Sequence, residues 1–199
     1  MKSENKYIGD DKFKRFLEHY SCRVPLEVVK FRFIGAICSP NEQLRPTDII
    51  SSLWENNSVP RLETKNEADL FFKFFMGLWD EMFRLVQDNN FRLASVSAGD
   101  NLSEVCRERF ETLELGFVEG FFGGQENLKI PAYIGEIIDS ISRMALLYRT
   151  LAEKSETQDN HKNVIDAVAD CDKMATKSMR FIVENYVLPR ISELRRTIN

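Results

Sequence analysis

The chain has 199 residues, a length that suits one large domain or one domain with an appendage. Hydrophobic residues make up 43% of it, which is enough for a buried core and excludes an intrinsically disordered protein. The net charge of −4 argues against broad nucleic-acid binding, which needs clustered positive charge.

The sequence has no pattern typical of a membrane span, a signal peptide or a disulfide framework. No apolar run approaches the ~20 residues needed to span a bilayer, and the polar, acidic start does not resemble a signal peptide. Four cysteines lie far apart, unlike the dense framework of a small secreted protein. The simplest interpretation is a reduced, cytoplasmic protein that is not associated with membranes.

The first part of the chain predicts a short leader followed by two helices. Residues 1–9 are expected to form a loose leader. Asp10 or Asp11 can cap the first helix, and Pro25 suits the first position of the second. Gly35 inside the second helix costs about 1 kcal/mol relative to alanine. We therefore expect it to let a neighbouring helix approach closely.

The stretch from Thr64 to Asp88 is rich in phenylalanine and has two apolar rows at helical spacing. Thr64 and Glu67 have the spacing of a capping box, which marks the start of this helix. A helix with so wide an apolar arc must be buried on most of its circumference. We expect the other helices to pack around it.

A glycine-containing helix is predicted to begin at Asn101. Gly116 and Gly120 are four residues apart, so they lie on one face and permit close contact with another helix. Gly123 and Gly124 are expected to end this helix. A phosphate loop needs its glycines at a helix start, so packing explains these glycines better than phosphate binding.

The last part of the chain predicts a helix from Pro131, a linker within 152–163 and a long terminal helix over about 163–188. Pro189 should kink or end that helix, because proline removes a backbone donor. No strand or repeat is evident. We predict a single all-α domain of about seven helices. Residues 1–155 would form its body, and residues 156–199 would pack on it or mediate a homodimer.

Catalytic and metal-binding patterns are weak. His19 and Cys22 would be neighbours on a continued helix and could form a thiolate pair. The residues around them look like a helix end, however, which would spoil that geometry. No metal-ligand spacing is present, and we predict no catalytic residue, metal or cofactor.

Three other residues stand out by their placement. Arg61 follows Pro60 in a short loop between apolar helices, and Glu119 lies within the apolar glycine-containing helix. The simplest interpretation puts both on the surface or pairs them with each other. The alternative makes them, together with Trp54, part of a recognition groove.

Three arginines lie close together near the end of the sequence: Arg190, Arg195 and Arg196. They suit a solvated face or the negative end of a helix dipole better than phosphate contacts. Nucleic-acid binding is therefore the least favoured function.

Residues 34–61, IGAICSPNEQLRPTDIISSLWENNSVPR, and the later run Gly116-Phe117-Val118-Glu119-Gly120 resemble the bacterial YecA/YgfB family. The likeness covers roughly residues 25–151 and depends on the order and spacing of Ser39-Pro40, Pro46, Leu53-Trp54, Pro60-Arg61 and a Gly-aromatic-x-x-Gly signature. The family consists of largely uncharacterised all-helical proteins. The resemblance implies a helical domain and supplies no established catalytic residue.

Two departures from that family limit what the resemblance implies. Family members often have a Trp-Cys pair just before the glycine signature, whereas Leu113 and Glu114 occupy those places here. Many members also end in a cysteine-rich zinc module, but no cysteine follows Cys171. The resemblance thus implies the helical domain without zinc.

Together these patterns favour a protein-interaction or regulatory module that binds an unknown protein partner. The alternative is an enzyme or small-molecule-binding protein with a pocket between the Phe-rich helix and the glycine-containing helix. A buried, partly polar cavity containing Glu119 or Arg61 would favour that alternative, whereas a solid core would favour the interaction module.

Overall fold

The computed structural model describes residues 6–97, 99–125, 127–155 and 161–198. This part of the chain contains seven helices and no strand, which confirms the all-α prediction. The helices are α1 (Asp10–His19), α2 (Leu26–Cys38), α3 (Pro46–Ser51), α4 (Lys65–Gln87), α5 (102–122), α6 (Ala132–Ser155) and α7 (161–198). Two of them contain a wider π-helical stretch, Thr112–Val118 in α5 and Val183–Val187 in α7.

The central helix is α2, and the prediction that α4 holds this position is wrong. Ten of the 13 residues of α2 are buried, and the helix packs against α1, α3, α4 and α5. On α4, the row containing Phe71 and Phe75 is buried, whereas the row containing Phe72 and Met76 is only half-buried. A helix that is apolar all round lies in the interior, so the run around Phe33 is better suited to the centre.

The backbones of α2 and α5 touch at three glycines. A Cβ atom on Gly35 would lie 2.2 Å from the carbonyl oxygen of Phe117, and one on Gly120 would lie 2.2 Å from the carbonyl oxygen of Arg32. A Cβ on Gly116 would lie 3.1 Å from the carbonyl oxygen of Val28. The predicted packing role of these glycines is confirmed.

Most predicted helix starts and ends agree with the structure. Thr64 Oγ1 accepts a hydrogen bond from the Glu67 amide at 3.1 Å, and Asn101 Oδ1 accepts one from the Glu104 amide at 3.3 Å. Gly123 ends α5 with a φ of 55°, in the left-handed region that favours glycine.

The start of α1 differs from the prediction. Gly9 precedes the helix, and neither Asp10 nor Asp11 caps it. The Asp10 carboxylate instead accepts from Lys30 Nζ at 2.7 Å and from Tyr7 Oη at 2.8 Å. These contacts, and the packing of Tyr7 against the core, make residues 6–9 part of the fold, while the rest of the predicted leader lies outside the described residues.

The last helix packs into the same core as the rest of the chain. Its apolar stripe, which includes Val168, Ala175, Met179 and Val187, is buried, and α7 lies against α6. Of the two effects predicted for Pro189, a kink or a helix end, the helix end does not occur, because α7 continues to Ile198. The π-helical stretch Val183–Val187 lies just before the proline and widens the helix where its missing donor would interrupt the hydrogen-bond ladder.

The predicted linker is shorter than expected. Helix α6 extends to Ser155 and α7 begins at His161, so only residues 156–160 separate them, and these lie outside the described residues. The apolar stripe of α7 is covered by the chain itself, and self-association stays a prediction.

Candidate functional site

An open groove of about 900 Å³ lies between α3, the turn after it and the C-terminal end of α5. We call it the acidic groove. Half-buried Leu44 and Phe122 form its apolar walls, and Arg32 lies at its floor. The remaining lining residues are Asp48, Ile49, Ser51, Ser52, Asn57, Val118, Glu119, Gly123, Gly124 and Gln125.

The Arg32 side chain is buried at the floor and fully engaged. Its Nε and Nη2 atoms donate to the Leu115 carbonyl oxygen at 2.9 and 2.6 Å. Its Nη1 atom donates to the Ser52 carbonyl oxygen at 3.0 Å, and Nη2 also donates to a Glu119 carboxylate oxygen at 2.7 Å. Because these bonds use both edges of the guanidinium, Arg32 fixes the site and offers little positive charge to a ligand.

The π-helical stretch of α5 explains why Leu115 can accept these bonds. In an α-helix the Glu119 amide would donate to the Leu115 carbonyl, but here it donates to Glu114, five residues back. The Leu115 carbonyl thereby loses its α-helical donor and bonds with Arg32. The sequence therefore places a buried cation where the helix has an unused acceptor.

Two carboxylates carry the charge at the surface of the groove. The Glu119 side chain is 53% exposed even though one of its oxygens binds Arg32. Asp48 is exposed, and its side chain also accepts from the Arg45 amide at the start of α3. Because the Arg32 guanidinium is already hydrogen-bonded at the floor, the groove presents negative charge and apolar walls to solvent.

The structure separates the three residues predicted to form a recognition groove. Glu119 lines the acidic groove and pairs with Arg32. Trp54 and Arg61 instead line a shallower hollow of about 570 Å³ together with His19. Arg61 is exposed there.

The contacts of Trp54 assign it a packing role. Its Nε1 atom donates to the Tyr20 carbonyl oxygen at 3.0 Å, which ties the turn after α3 to the end of α1. Its ring lies against Phe71 and Phe75 of α4.

Arg32 is the site residue that the sequence reasoning missed. The signal was present, since Arg32 is a charged residue inside the apolar run VVKFRFIGAIC. A charge at such a position is buried only when it is paired. The partner could not be read in the same way, because Glu119 lies 87 residues further along the chain.

The helix end predicted around Cys22 is confirmed. The Cys22 amide donates to the Leu17 carbonyl and the Ser21 amide to the Glu18 carbonyl, while Ser21 has a φ of 53°. The chain therefore leaves the helix before Cys22 could lie one turn above His19. Burial also raises the pKa of the Cys22 thiol, which disfavours the nucleophilic thiolate.

Of the terminal arginines, Arg190 is used within the fold. Its Nη2 atom donates to the Ser39 carbonyl at the end of α2, at 3.4 Å, and its guanidinium lies over the Tyr186 ring. Arg196 is exposed, and the Arg195 side chain lies outside the described residues. Within the described ranges, no group of three or more His, Cys, Asp or Glu side chains could hold a metal ion.

The described helices include no candidate for a membrane-spanning segment, since none combines the needed length and apolarity. No family model, curated protein or solved structure matches the chain. The resemblance to the YecA/YgfB family therefore stays a prediction.

Proposed function

We propose that this chain is a cytoplasmic protein-interaction module whose acidic groove binds a short partner segment carrying a lysine or arginine beside apolar residues. The observation that carries the proposal is the half-exposed Glu119 carboxylate, held over apolar walls by a buried arginine. Four free cysteines, three of them buried, support the reducing compartment.

Charge decides which kind of segment suits the groove. The open carboxylates of Glu119 and Asp48 attract a cation, whereas Arg32 is occupied by Leu115, Ser52 and Glu119. An acidic segment would face these two carboxylates with no free cation among the described residues of the groove lining, and like charges across an interface cost several kcal/mol.

Rigidity and size support binding as well. The floor lies on the glycine contact between α2 and α5, where the two backbones touch directly. A preorganised site loses less conformational entropy when it binds. The volume of about 900 Å³ is within the range of ligand sites and suits a few side chains of a peptide.

A random peptide library displayed on phage, selected against the full chain, tests this proposal. Selected sequences should be enriched in lysine or arginine next to leucine, isoleucine or phenylalanine. Synthetic copies should then bind in fluorescence anisotropy, and added salt should weaken the binding.

A matched pair of tryptophan variants locates the binding site. Ser51 ends α3 in the groove, and its hydroxyl donates to the Thr47 carbonyl one turn back. Ser192 in α7 makes the same kind of bond to Leu188 and does not line the groove. Ser51→Trp should weaken peptide binding about tenfold or more, and Ser192→Trp less than about twofold. Equal effects, or peptides without cationic enrichment, would overturn the proposal.

A further inference from the structure

A second groove, of about 880 Å³, lies between residues 89–96 and one face of α7. We call it the basic groove. Four cationic side chains line it: Arg92, Lys173, Lys177 and Arg180. Two acidic side chains, Asp172 and Glu184, line it as well. This balance is the reverse of the net charge of the whole chain.

Helical spacing places three of the cations in one row. Lys173, Lys177 and Arg180 are at positions i, i+4 and i+7 of α7, which share one face of a helix. Residues 173–184 span about 16 Å along the helix axis. Arg92, on the opposite segment, is exposed. The groove therefore presents a line of positive charge with a further cation across from it.

Arg180 is held in place before any ligand arrives. Its Nε atom donates to the Phe91 carbonyl oxygen at 3.2 Å, and Nη2 donates to Asn90 Oδ1 at 3.4 Å. Asn89 Nδ2 donates back to the Arg180 carbonyl oxygen at 3.5 Å. Within the described residues, Arg180 Nη1 has no such bond and remains able to donate. Among the described residues, Lys173 forms an exposed ion pair with Asp170 and no other, and such a pair is a weak interaction.

The negative charge of Asp172, at the floor of the basic groove, is neutralised by the buried side chain of Arg109 beneath it. Asp172 Oδ1 accepts from Arg109 Nε at 3.0 Å and from Tyr148 Oη at 2.6 Å. The Arg109 side chain is 4% exposed, and that of Asp172 is 13% exposed. Burial raises the pKa of Asp172, while Arg109 opposes that shift. Asp172 therefore does little to offset the four cations above it.

We propose that the basic groove binds a small molecule that carries two or more adjacent phosphate groups. Arginine and lysine are the residues that hold phosphate, through charge-assisted hydrogen bonds and bidentate geometry. Several cations in one row match several anionic groups along one chain. The groove volume is that of a small-molecule site, and Phe181, 43% exposed at its edge, offers an aromatic surface to the rest of the ligand.

Calorimetric titration of the full chain with inorganic tripolyphosphate, ATP and adenosine tests this inference. Tripolyphosphate and ATP should each bind with one-to-one stoichiometry, and adenosine should not bind. Lys177→Glu should weaken the binding of both phosphate compounds by about tenfold or more. Lys177 is exposed and no partner for it is seen in the described residues, so the variant should fold normally, which a thermal melt checks.

Lys73→Glu is the matched control, because Lys73 is an exposed helical lysine of α4 outside the groove. It makes the same change in net charge and should alter the affinity less than about twofold. Three outcomes would overturn the inference. They are no binding of tripolyphosphate up to millimolar concentration, equal losses in the two variants, or a polyglutamate peptide that binds more tightly than tripolyphosphate.

Discussion

The two grooves are built on the same kind of ion pair and present opposite charge. Under the acidic groove, Arg32 donates to the Leu115 carbonyl and to Glu119. Under the basic groove, Arg109 donates to the Ala94 carbonyl and to Asp172. In each case a buried guanidinium joins a helix to a distant segment.

The difference lies in where the carboxylate is. The Glu119 side chain is half exposed, so its charge reaches the solvent side of the groove. The Asp172 side chain is nearly buried and also binds Tyr148, so the charge above it comes from the lysines and arginines of the rim. The exposure of the carboxylate thus decides whether such a pair leaves negative charge at the surface or only joins two buried segments.

The largest expected effect concerns the backbone contact beneath the acidic groove. Gly120→Ala would place a Cβ 2.2 Å from the Arg32 carbonyl oxygen, and backbone cannot move aside there. We expect a loss of about 4 kcal/mol or more in the free energy of unfolding, measured with urea. Gly135→Ala in α6 is the control, because its Cβ would only meet Ile130 at 3.8 Å. It should be neutral or stabilise by up to about 1 kcal/mol, and a similar loss in both variants would contradict the backbone contact.

The next largest losses in the free energy of unfolding are expected when Arg109 and Arg32 are replaced. Arg109→Met leaves Asp172 and Tyr148 buried without their cation, which should cost about 3–5 kcal/mol. Arg32→Met leaves Glu119 able to turn to water, so only the carbonyl partners lose a donor and the cost should be about 2 kcal/mol. Urea unfolding of both variants measures the difference. If Arg32→Met loses as much free energy of unfolding as Arg109→Met, or more, the exposure of the carboxylate partner does not distinguish the two arginines.

The smallest expected effect concerns the hydrogen bond from Tyr148 to Asp172. Tyr148→Phe removes a single hydrogen bond to a buried carboxylate and should cost about 1.5–3 kcal/mol. The Arg109 bond to Asp172 remains, so the variant should keep its helical circular dichroism. Tyr133→Phe is the control, because that ring is 45% exposed, and it should change the unfolding free energy by less than about 0.5 kcal/mol. No difference between the two variants would mean that the tyrosine does not hold Asp172.

Local patterns predicted much of this fold. Thr64, Asn101 and Gly123 mark helix boundaries because capping depends on residues within one turn. The packing role of Gly35, Gly116 and Gly120 could also be predicted, since a glycine inside a helix is costly unless something packs against it.

Tertiary features could not be predicted in this way. Periodicity shows how much of a helix is apolar but not which helix the others surround, so it favours α4 at the centre, where the structure has α2. The Arg32–Glu119 pair joins residues far apart in the chain, and nothing in the sequence around Leu115 announces a π-helical stretch. Trp54, Arg61 and Glu119 share unusual positions in the sequence, but they lie on two different surfaces of the fold.

The most direct test of the central claim is a double-mutant cycle between Glu119 and the cationic residue of a selected peptide. The four affinities are measured for wild-type and Glu119→Gln protein, each with the peptide and with a copy in which norleucine replaces its lysine. The account predicts a coupling free energy of about 1.5 kcal/mol or more, since the two charges would meet in the groove. A coupling near zero, with the peptide still bound, would contradict it.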